Sequence, residues 1–273
     1  HWKKPRRVFV NSVSDLFHKD VPDEFLDRTF AVMGLTGQHT YQVLTKRADR
    51  MEAYMARLAK SVAPLEVAAR EMGHTFKFTG LDGKEHGLLP WPIRNVWLGV
   101  SVENQAAADE RIPHLLRTPA AVRFLSCEPL LGPVDLEPFV KAFNLKVGGS
   151  EQEVWGANNW RADGIGEPLL HWAIVGGESG HGARPFHVEW ARSIVEQCKA
   201  AGVACFLKQL GVNVSTRLPD GEAWPGHVGP LSPVQFHGDG FGNYTVRGLK
   251  DKKGGDPAEW PHDLRVREFP ATT

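Results

Sequence analysis

The sequence predicts an α/β fold, a partial TIM-type barrel in which parallel β-strands alternate with α-helices. Six short apolar runs have the length and composition of buried strands, most of them are followed by a helix-like stretch, and each is followed by a charged residue. The runs are Val8–Val10, Tyr41–Leu44, Val96–Val100, Val122–Leu125, Trp172–Val175 and Ala204–Leu207. These three observations together favour a barrel.

The charged residues that follow the six runs are the first candidates for an active site. In a barrel of strands and helices, the carboxyl ends of all strands meet on one face. The six residues are Asp15, Lys46, Glu103, Glu128, Glu178 and Lys208. We therefore expect them to lie together at the mouth of the barrel.

The length of 273 residues suits one barrel domain with an extension. We expect residues 1–211 to form the barrel without its first strand, and the glycine-rich residues 138–168 to form an insertion over its mouth. Prolines and glycines recur in residues 212–273 and predict a loop-rich extension. The aromatic residues of this extension predict that it packs onto the barrel.

The composition indicates a globular protein without an overall charge. Hydrophobic residues make up 42% of the chain, and 32 Lys and Arg balance 32 Asp and Glu, so nothing global attracts a nucleic acid or an acidic membrane. No apolar run approaches the roughly 20 residues that span a bilayer. The 3 cysteines have no C-x-x-C spacing, which favours reduced and mainly structural thiols. We expect a cytoplasmic protein that does not bind membranes.

The first two helices are predicted from their ends and their apolar faces. Pro22 opens a pattern that places an apolar face on one side of a helix, and proline is favoured in the first turn of a helix. The residues of that face are Phe25, Leu26, Phe30 and Met33. Residues 48–72 have the spacing and composition of a single long helix, and Gly73 is a plausible stop.

Two later helices have recognisable ends as well. A helix with Ile112 and Leu115 on its apolar face is ended by Thr118-Pro119, and a helix carrying Ile194 and Cys198 runs to Gly202. Each lies between two of the six apolar runs, as the barrel requires.

Gly176-Gly177-Glu178 is the sharpest local feature. The two glycines lack the Cβ atoms that would keep backbone N–H groups away from a bound molecule, and a glutamate carboxylate accepts hydrogen bonds from amines or hydroxyls. We predict that Gly176 and Gly177 bind a cofactor, that Glu178 is catalytic and that the nearby Arg184 binds a substrate or phosphate. The alternative is a tight turn in which Glu178 is solvated or pairs with Arg184.

Lys46, Arg47 and Asp15 form a second group of candidates. The two cations stand where an α/β active site would hold a carboxylate or a phosphate, although one of two adjacent side chains should point away from the centre. We assign both to an anionic group of a ligand, and Arg47 to a phosphate. Asp15 is predicted to bind a ligand, and its alternative role is to cap a turn together with Ser14.

The third group lies at the ends of the middle and last strands. Ser101 and Glu103 are two residues apart and face the same way on an extended strand, where a hydroxyl and a carboxylate can hold a ribose diol. Their alternative role is a turn before the next helix.

Glu128 is expected to be buried and to need a cationic partner, which Lys208 or Lys46 could provide. Glu128 and Lys208 are therefore catalytic candidates.

No metal site is predicted from the residues of this chain. The histidines form no H-x-x-x-H or H-x-H pair among His18, His74, His86, His171, His181 and His187. No acidic cluster has metal-ligand spacing. Cys127 adjoins Glu128 but has no histidine motif nearby, so we interpret it as a small core residue.

Six segments at the strand ends together resemble one protein family. They are VFVNSVSDLF (8–17), QVLTKR (42–47), WLGVSVEN (97–104), FLSCEPLLGP (124–133), IVGGESGHGARP (174–185) and FLKQLG (206–211). These segments resemble a phage-associated family of uncharacterised three-cysteine-motif proteins, itself similar to radical S-adenosylmethionine enzymes. The Ser-Asp and Thr-Lys pairs also look like those of the spore photoproduct lyase branch, which repairs DNA.

The resemblance implies S-adenosylmethionine as cofactor and gives several residues a role. Ser12 and Asp15 would line the amino end of the cofactor, Lys46 would lie near its carboxylate, and Ser101 with Glu103 would hold its ribose. The fold implied is a radical-SAM-like partial barrel.

This chain departs from the family at its cysteines. In relatives, a three-cysteine loop ahead of the first strand binds a [4Fe-4S] cluster, and no such loop occurs in this sequence. Three scattered cysteines do not supply the clustered thiolates that such a cluster needs. We therefore expect a missing N-terminal segment, rather than a degenerate family member, and no radical chemistry from this chain alone.

The leading hypothesis is a radical-SAM-like enzyme that acts on a nucleic acid or nucleotide. A second hypothesis is a non-redox barrel hydrolase or lyase, with Glu128 or Glu178 as general base and Lys46 or Lys208 as electrophile. A third is a phosphate or nucleic-acid binding module that uses Arg184 and the Lys46-Arg47 pair without chemistry.

Overall fold

A computed structural model describes most of the chain. It covers residues 2–79, 85–86, 89–140, 143–147, 150–154, 170–217, 235–238, 243–247 and 249–271. In these residues no helix is both long enough and apolar enough to cross a membrane.

Strands and helices alternate through much of the chain. The strands are β1 (Arg7–Val10), β2 (Thr40–Thr45), β3 (Phe78–Thr79), β4 (Glu85–His86), β5 (Val96–Ser101), β6 (Val122–Cys127), β7 (Phe143–Val147), β8 (Ser150–Val154), β9 (Trp172–Gly176), β10 (Phe186–His187), β11 (Ala204–Gln209), β12 (Val214–Arg217), β13 (Gln235–Gly238) and β14 (Asn243–Arg247). The helices are α1 (Asp23–Leu35), α2 (Ala48–Lys60), α3 (Ala63–Glu71), α4 (Gln105–Arg117), α5 (Glu137–Val140) and α6 (Val188–Ala201), and two short 3₁₀-helices follow at Pro257–Glu259 and His262–Leu264.

All six predicted strands are confirmed, and they form one six-stranded sheet. Its order is β1-β2-β5-β6-β9-β11, so each strand lies beside its predecessor in the sheet without a reversal. The pairs β1–β2, β2–β5 and β9–β11 run parallel. A doubly wound sheet would reverse its strand order at a switch point, whereas a barrel continues in one direction. The structure is therefore mixed α/β, with a parallel sheet of the kind that a partial βα barrel requires.

The chain divides into two compact units whose segments alternate in sequence. The first unit comprises His1–Val100, Arg111–Phe124 and Asn144–Leu169, and the second comprises Ser101–Glu110, Leu125–Phe143 and Leu170–Thr273. The predicted domain boundary after residue 211 stays a prediction.

The core of the first unit contains an aromatic cluster. The rings of Phe17 and Phe30 lie 6.2 Å apart, and Tyr54 lies 6.0 Å and 5.3 Å from them. Tyr54 remains buried because its hydroxyl donates a hydrogen bond to Asp27 at 2.9 Å. This cluster joins the segment after β1 to α1 and α2.

The prediction of a single helix over residues 48–72 is wrong. α2 ends at Lys60, and α3 begins at Ala63 with Pro64 in its first turn. Proline lacks the backbone N–H, and in a continuous helix its ring would clash with the carbonyl group four residues earlier, that of Lys60. The chain therefore breaks at residues 61–62 and starts a second helix, for which Pro64 is well placed.

The second unit contains a sheet of its own and much of the C-terminal extension. Its order is β10-β12-β14-β13, with β12 and β13 antiparallel to β14. Trp260 is fully buried and donates from its indole N–H to the carbonyl of Gly254 at 2.9 Å. α6 ends as predicted at Gly202, which adopts the left-handed conformation that favours glycine.

The predicted insertion over residues 138–168 is only partly described. The described parts are the end of α5 and the paired strands β7 and β8. Residues 141–142, 148–149 and 155–169 lie outside the described residues.

Candidate functional site

In the first unit, the carboxylate of Asp15 joins the segment after β1 to the end of β2. Its Oδ1 accepts hydrogen bonds from the backbone N–H of Phe17 at 2.9 Å and from the hydroxyl of Thr45 at 2.7 Å. Its Oδ2 accepts from the backbone N–H of Lys46 at 3.0 Å and from the guanidinium of Arg47 at 2.8 Å. Asp15 and the Thr45-Lys46-Arg47 segment are thus brought together.

These contacts explain the charge state of Asp15. Burial by itself would raise the pKa of this carboxyl group, but the hydrogen bonds from Thr45, Lys46, Phe17 and Arg47 outweigh burial and lower the pKa. A carboxylate has about four lone-pair sites, and four donors already occupy them. Asp15 therefore acts as a structural anchor.

The other predicted residues of the first unit lie at its surface. Ser12 is exposed, and so is Lys46, whose backbone binds Asp15. Asn11 before Ser12 has a φ of 59°, a left-handed conformation that asparagine tolerates better than most residues, and its side chain donates to the hydroxyl of Ser14 at 2.9 Å. Arg47 is half-buried against Asp15.

In the second unit, Glu128 and Lys208 form an ion pair. The Nζ atom of Lys208 lies 3.2 Å from Oε1 of Glu128, and the carboxylate side chain is only 18% exposed whereas the lysine side chain is 57% exposed. Burial raises the pKa of Glu128, and the charge and hydrogen bond of Lys208 only partly oppose it. The expected pairing with one of the two candidate lysines is confirmed, and burial still makes the Glu128 carboxyl group a weaker acid than an ordinary glutamate.

A break in the regular pairing of β11 occurs at Lys208. Leu207 pairs with Val175 and Gln209 pairs with Gly176, so one residue of β11 has no counterpart on β9. Such a bulge leaves the extra residue unpaired and bends the strand. Lys208 is the extra residue, and its carbonyl accepts a hydrogen bond from Arg267 at 3.4 Å.

Gly176 and Gly177 lie in close contact with other parts of their own unit. A Cβ atom on Gly176 would lie 2.7 Å from Oε1 of Glu128, and one on Gly177 would lie 2.1 Å from the carbonyl oxygen of Leu210. Gly177 also donates its N–H to the carbonyl of Gln209 at 3.0 Å. The two glycines therefore allow β9 to approach Glu128 and the end of β11, and cofactor binding by them stays a prediction.

Glu178 is tied to Arg184 within one loop. Arg184 donates from Nη2 to Oε1 at 2.6 Å, from Nε to Oε2 at 3.1 Å and from its backbone N–H to Oε2 at 2.8 Å. These side-chain and backbone hydrogen bonds lower the pKa of Glu178 to about 2. A carboxylate so acidic is a weak general base at neutral pH, so this geometry favours the structural alternative for both residues.

Ser101 and Glu103 are both buried at the end of β5. Ser101 is 5% exposed and Glu103 is 8% exposed. The strand ends at Ser101, and the chain bends at Glu103 just before α4, as the alternative role of a turn predicts. Val102, between the two residues, donates its N–H to the carbonyl of Ser126 at 2.8 Å. The backbone carbonyl of Glu103 accepts from Leu131 at 2.7 Å, which fixes the segment from the other side. The unit therefore holds a hydroxyl and a carboxylate in a buried position.

The thiols of Cys127, Cys198 and Cys205 are all buried. Burial raises the pKa of Cys127, as expected for a core residue rather than for a metal ligand. Within the described part of the chain, no group of three or more His, Cys, Asp and Glu residues is arranged to hold a metal ion.

Three residues that hold predicted site residues in place were not themselves among the predicted site residues. Thr45 donates to Asp15 at 2.7 Å, and Gln209 donates from Nε2 to the carbonyl of Gly177 at 2.8 Å. Arg267 donates to the carbonyl of Lys208 from the distant C-terminal segment. A hydroxyl or amide at the last residue of a strand is a usable signal for the first two, but sequence spacing contains no signal for Arg267.

S-adenosylmethionine would require hydrogen-bond partners for its ribose and for its methionine part. The ribose of that cofactor has two hydroxyl groups, and its methionine part has an amine and a carboxylate. The buried Ser101 and Glu103 have the donors and acceptors that suit a ribose, and the exposed Lys46 suits a carboxylate. Asp15 does not suit the amine, because its acceptor sites are taken.

Comparison with known proteins identifies one family. Residues 1–255 match the family described as "Protein of unknown function (DUF5131)". No curated protein matches the chain. No solved structure matches it either.

Proposed function

This chain belongs to the DUF5131 family of proteins of unknown function, and we propose that it is the parallel α/β core of a radical-SAM-like enzyme that acts on a nucleic acid or nucleotide. The observation that carries the proposal is the strand order β1-β2-β5-β6-β9-β11, which progresses in one direction as in a partial barrel. The strand-end motifs that resemble radical S-adenosylmethionine enzymes lie at or beside the carboxyl ends of these strands.

In the proposed enzyme, Ser101 and Glu103 bind the ribose of S-adenosylmethionine. When bound, this cofactor would supply the radical, together with a [4Fe-4S] cluster for which this sequence has no three-cysteine loop. The protein residues bind, orient and shield. Glu103 is well suited to orient two ribose hydroxyls, because its main chain is held by Leu131 and its side chain has little freedom when buried.

Glu128 and Lys208 are proposed to act on the substrate side. The raised pKa of Glu128 lets it hold a proton that a more exposed glutamate would have lost, and Lys208 stabilises the carboxylate once the proton has left. The pair can therefore donate or accept one proton at a substrate atom without a change in the protein scaffold.

Cofactor binding by the chain itself tests this proposal first. Isothermal titration calorimetry with S-adenosylmethionine should show binding, and Glu103→Gln should weaken it by about 10-fold, the loss of one hydrogen bond to a charged group. Glu196→Gln, which changes an exposed glutamate of the same unit, is the matched control and should bind normally. Equal binding by both variants would contradict the role of Glu103.

The radical chemistry is tested on protein expressed from its natural gene and reconstituted anaerobically with iron and sulfide. This protein should convert S-adenosylmethionine to 5′-deoxyadenosine in the presence of a reductant. If it yields no 5′-deoxyadenosine and the chain does not bind S-adenosylmethionine, the proposal fails.

The Glu128–Lys208 pair also favours a second candidate function, a non-redox hydrolase or lyase. In that enzyme Glu128 would be the general base and Lys208 the electrophile. Mass spectrometry of an oligonucleotide incubated in air without S-adenosylmethionine distinguishes the two candidates. Cleavage or elimination that is abolished by Glu128→Gln supports the second, and a product that requires the cofactor and a reductant supports the first.

A further inference from the structure

The N-terminal segment carries a local concentration of positive charge. Lys3, Lys4, Arg6 and Arg7 occur within five positions, and no acidic residue occurs between residue 2 and residue 14. All four side chains are exposed. The balanced charge of the whole chain therefore conceals a cationic surface on the first unit.

Two exposed aromatic side chains accompany these cations. Trp2 is 53% exposed and Phe9 is 44% exposed, although large apolar side chains are usually buried. Arg7 and Phe9 are two residues apart on β1 and so project from the same face of the strand. The basic segment thus combines four charges with two aromatic surfaces.

The segment is held in place by the rest of the first unit. The carbonyl of Arg6 accepts a hydrogen bond from the N–H of Thr40 at 2.8 Å, at the start of the pairing between β1 and β2. The guanidinium of Arg6 lies over the ring of Trp2, 5.1 Å from its centre, and the ring of His39 contacts Trp2 edge to face at 6.1 Å. Trp2 is therefore held in a fixed position before any ligand binds, although half of its surface remains exposed.

We infer that the segment from Trp2 to Phe9 is a binding surface for single-stranded nucleic acid. Cationic side chains bind backbone phosphates, and exposed aromatic rings stack with unpaired bases. A duplex keeps its bases stacked inside, so the two aromatic side chains would contribute nothing to duplex binding. The inference deepens the proposed function and rests on it in naming the substrate class, but the surface itself needs neither cofactor nor cluster.

Fluorescence anisotropy with a labelled oligothymidylate of about 20 nucleotides tests the inference. Binding should weaken with salt by about 0.7 log units of affinity per log unit of salt for each phosphate contact, or about 50-fold between about 50 mM and about 200 mM if four contacts form. The variant Lys3→Gln/Lys4→Gln/Arg6→Gln/Arg7→Gln should lose that dependence together with most of the affinity.

A control variant separates a local surface from the effect of net charge. Lys60→Gln/Arg70→Gln/Lys199→Gln/Lys252→Gln removes four exposed cations elsewhere, so both variants have the same net charge. The control should bind the oligonucleotide as the parent chain does. If the two variants lose affinity equally, or if neither loses it, the inference is wrong.

Trp2→Ala tests the stacking part with all charges retained. It should weaken binding of the single strand by about 5- to 150-fold, the range for loss of one stacked base. It should not change binding of a hairpin duplex. Duplex DNA or anionic phospholipid vesicles that bind as tightly as the single strand, with no effect of Trp2→Ala, would overturn the inference in favour of a general anion-binding surface.

The cofactor measurement distinguishes this inference from the proposed function. Loss of oligonucleotide binding in the four-site variant with normal binding of S-adenosylmethionine confirms the surface alone. Oligonucleotide binding, combined with no binding of S-adenosylmethionine and no 5′-deoxyadenosine from the reconstituted protein, refutes the proposed function and leaves the surface standing. Absence of oligonucleotide binding in the parent chain refutes the surface, whatever the cofactor does.

Discussion

The two units contain carboxylates at comparable strand-end positions with opposite properties. Asp15 of the first unit receives four hydrogen bonds and its pKa is lowered, whereas Glu128 of the second unit has Lys208 as its cation and its pKa is raised. Burial raises the pKa of both carboxyl groups, and the direction depends on whether hydrogen bonds to the charged form outweigh it. Four donors outweigh burial at Asp15, whereas Lys208 does not at Glu128, and this separates a carboxylate that holds the fold together from one that is a weaker acid.

Removing the carboxylate of Asp15 should have the largest effect. Asp15→Ala leaves two backbone N–H groups, a hydroxyl and a guanidinium without their acceptor, and we expect the free energy of unfolding to fall by about 3 to 5 kcal/mol. Urea unfolding measures the loss. Asp20→Ala, at an exposed aspartate of the same segment, is the control, and a similar effect from both variants would contradict the anchoring role.

The effect should also depend on pH in a defined direction. Because the pKa of Asp15 is lowered by folding, its contribution is present above the unfolded-state pKa and is lost as the pH falls through the folded-state value. The stability difference between the parent chain and Asp15→Ala should therefore shrink in acid.

The stability contributed by Glu128 should change with pH in the opposite direction, because folding raises the pKa of this group. Its contribution is present in acid and is lost as the pH rises through the folded-state pKa. Glu128→Gln should therefore lower the free energy of unfolding less at neutral pH than in acid, or even raise it.

The second unit is held at its strand ends by close backbone packing rather than by a shared carboxylate. Gly177→Ala would force a Cβ atom to within 2.1 Å of the Leu210 carbonyl oxygen, and backbone atoms cannot move aside cheaply. We expect a loss of about 2 kcal/mol or more in the free energy of unfolding. Gly180→Ala in the same loop meets no atom within 4 Å and should change stability little. Equal losses of stability in the two variants would show that the close contact with Leu210 does not determine the effect of Gly177→Ala.

Removing the cation of the second unit should have a smaller effect. Lys208→Met should raise the pKa of Glu128 further, as measured by carboxyl ¹³C NMR, because the opposing charge is gone. The loss of stability at neutral pH should be about 1 kcal/mol, since the lysine side chain is 57% exposed and water screens the pair. Lys199→Met, at an exposed lysine of the same unit, should leave that pKa unchanged. A Glu128 pKa that does not respond would remove Lys208 from the proposed proton transfer.

Breaking the pair formed by Glu178 and Arg184 should change the stability of the protein least. Arg184→Ala should let the pKa of Glu178 rise from about 2 toward its ordinary value, without a measurable change in melting temperature. The same NMR titration reports the pKa. If it stays near 2, a group other than Arg184 determines it.

The sequence predicted the framework of the molecule better than the details of its site. All six strands lie where the apolar runs predicted, because a strand buried in a parallel sheet is a continuous apolar run. The need of Glu128 for a cationic partner also followed from the cost of burying a charge, whereas the choice of Lys208 over Lys46 did not. The break before Pro64 was predictable from proline chemistry. The helical spacing of residues 48–72 nevertheless led to the prediction of one continuous helix.

Other features depend on contacts that sequence spacing does not encode. The four donors around Asp15 come from both sides of a gap of 30 residues, and only the pairing of β1 with β2 brings them together. The bulge at Lys208 depends on its register with β9, and the contact with Arg267 joins residues 59 positions apart. Tertiary structure decides these contacts, so the direction of a pKa shift at such a site cannot be read from neighbouring residues alone.

The exposed position of Lys208 separates the charge at the end of β11 from the packing of that strand. Buried residues alternate with more exposed ones from Ala204 to Lys208, and the irregular pairing with β9 falls between Leu207 and Gln209. A substitution at Lys208 therefore changes the charge beside Glu128 and leaves the buried residues Cys205 and Leu207 in place.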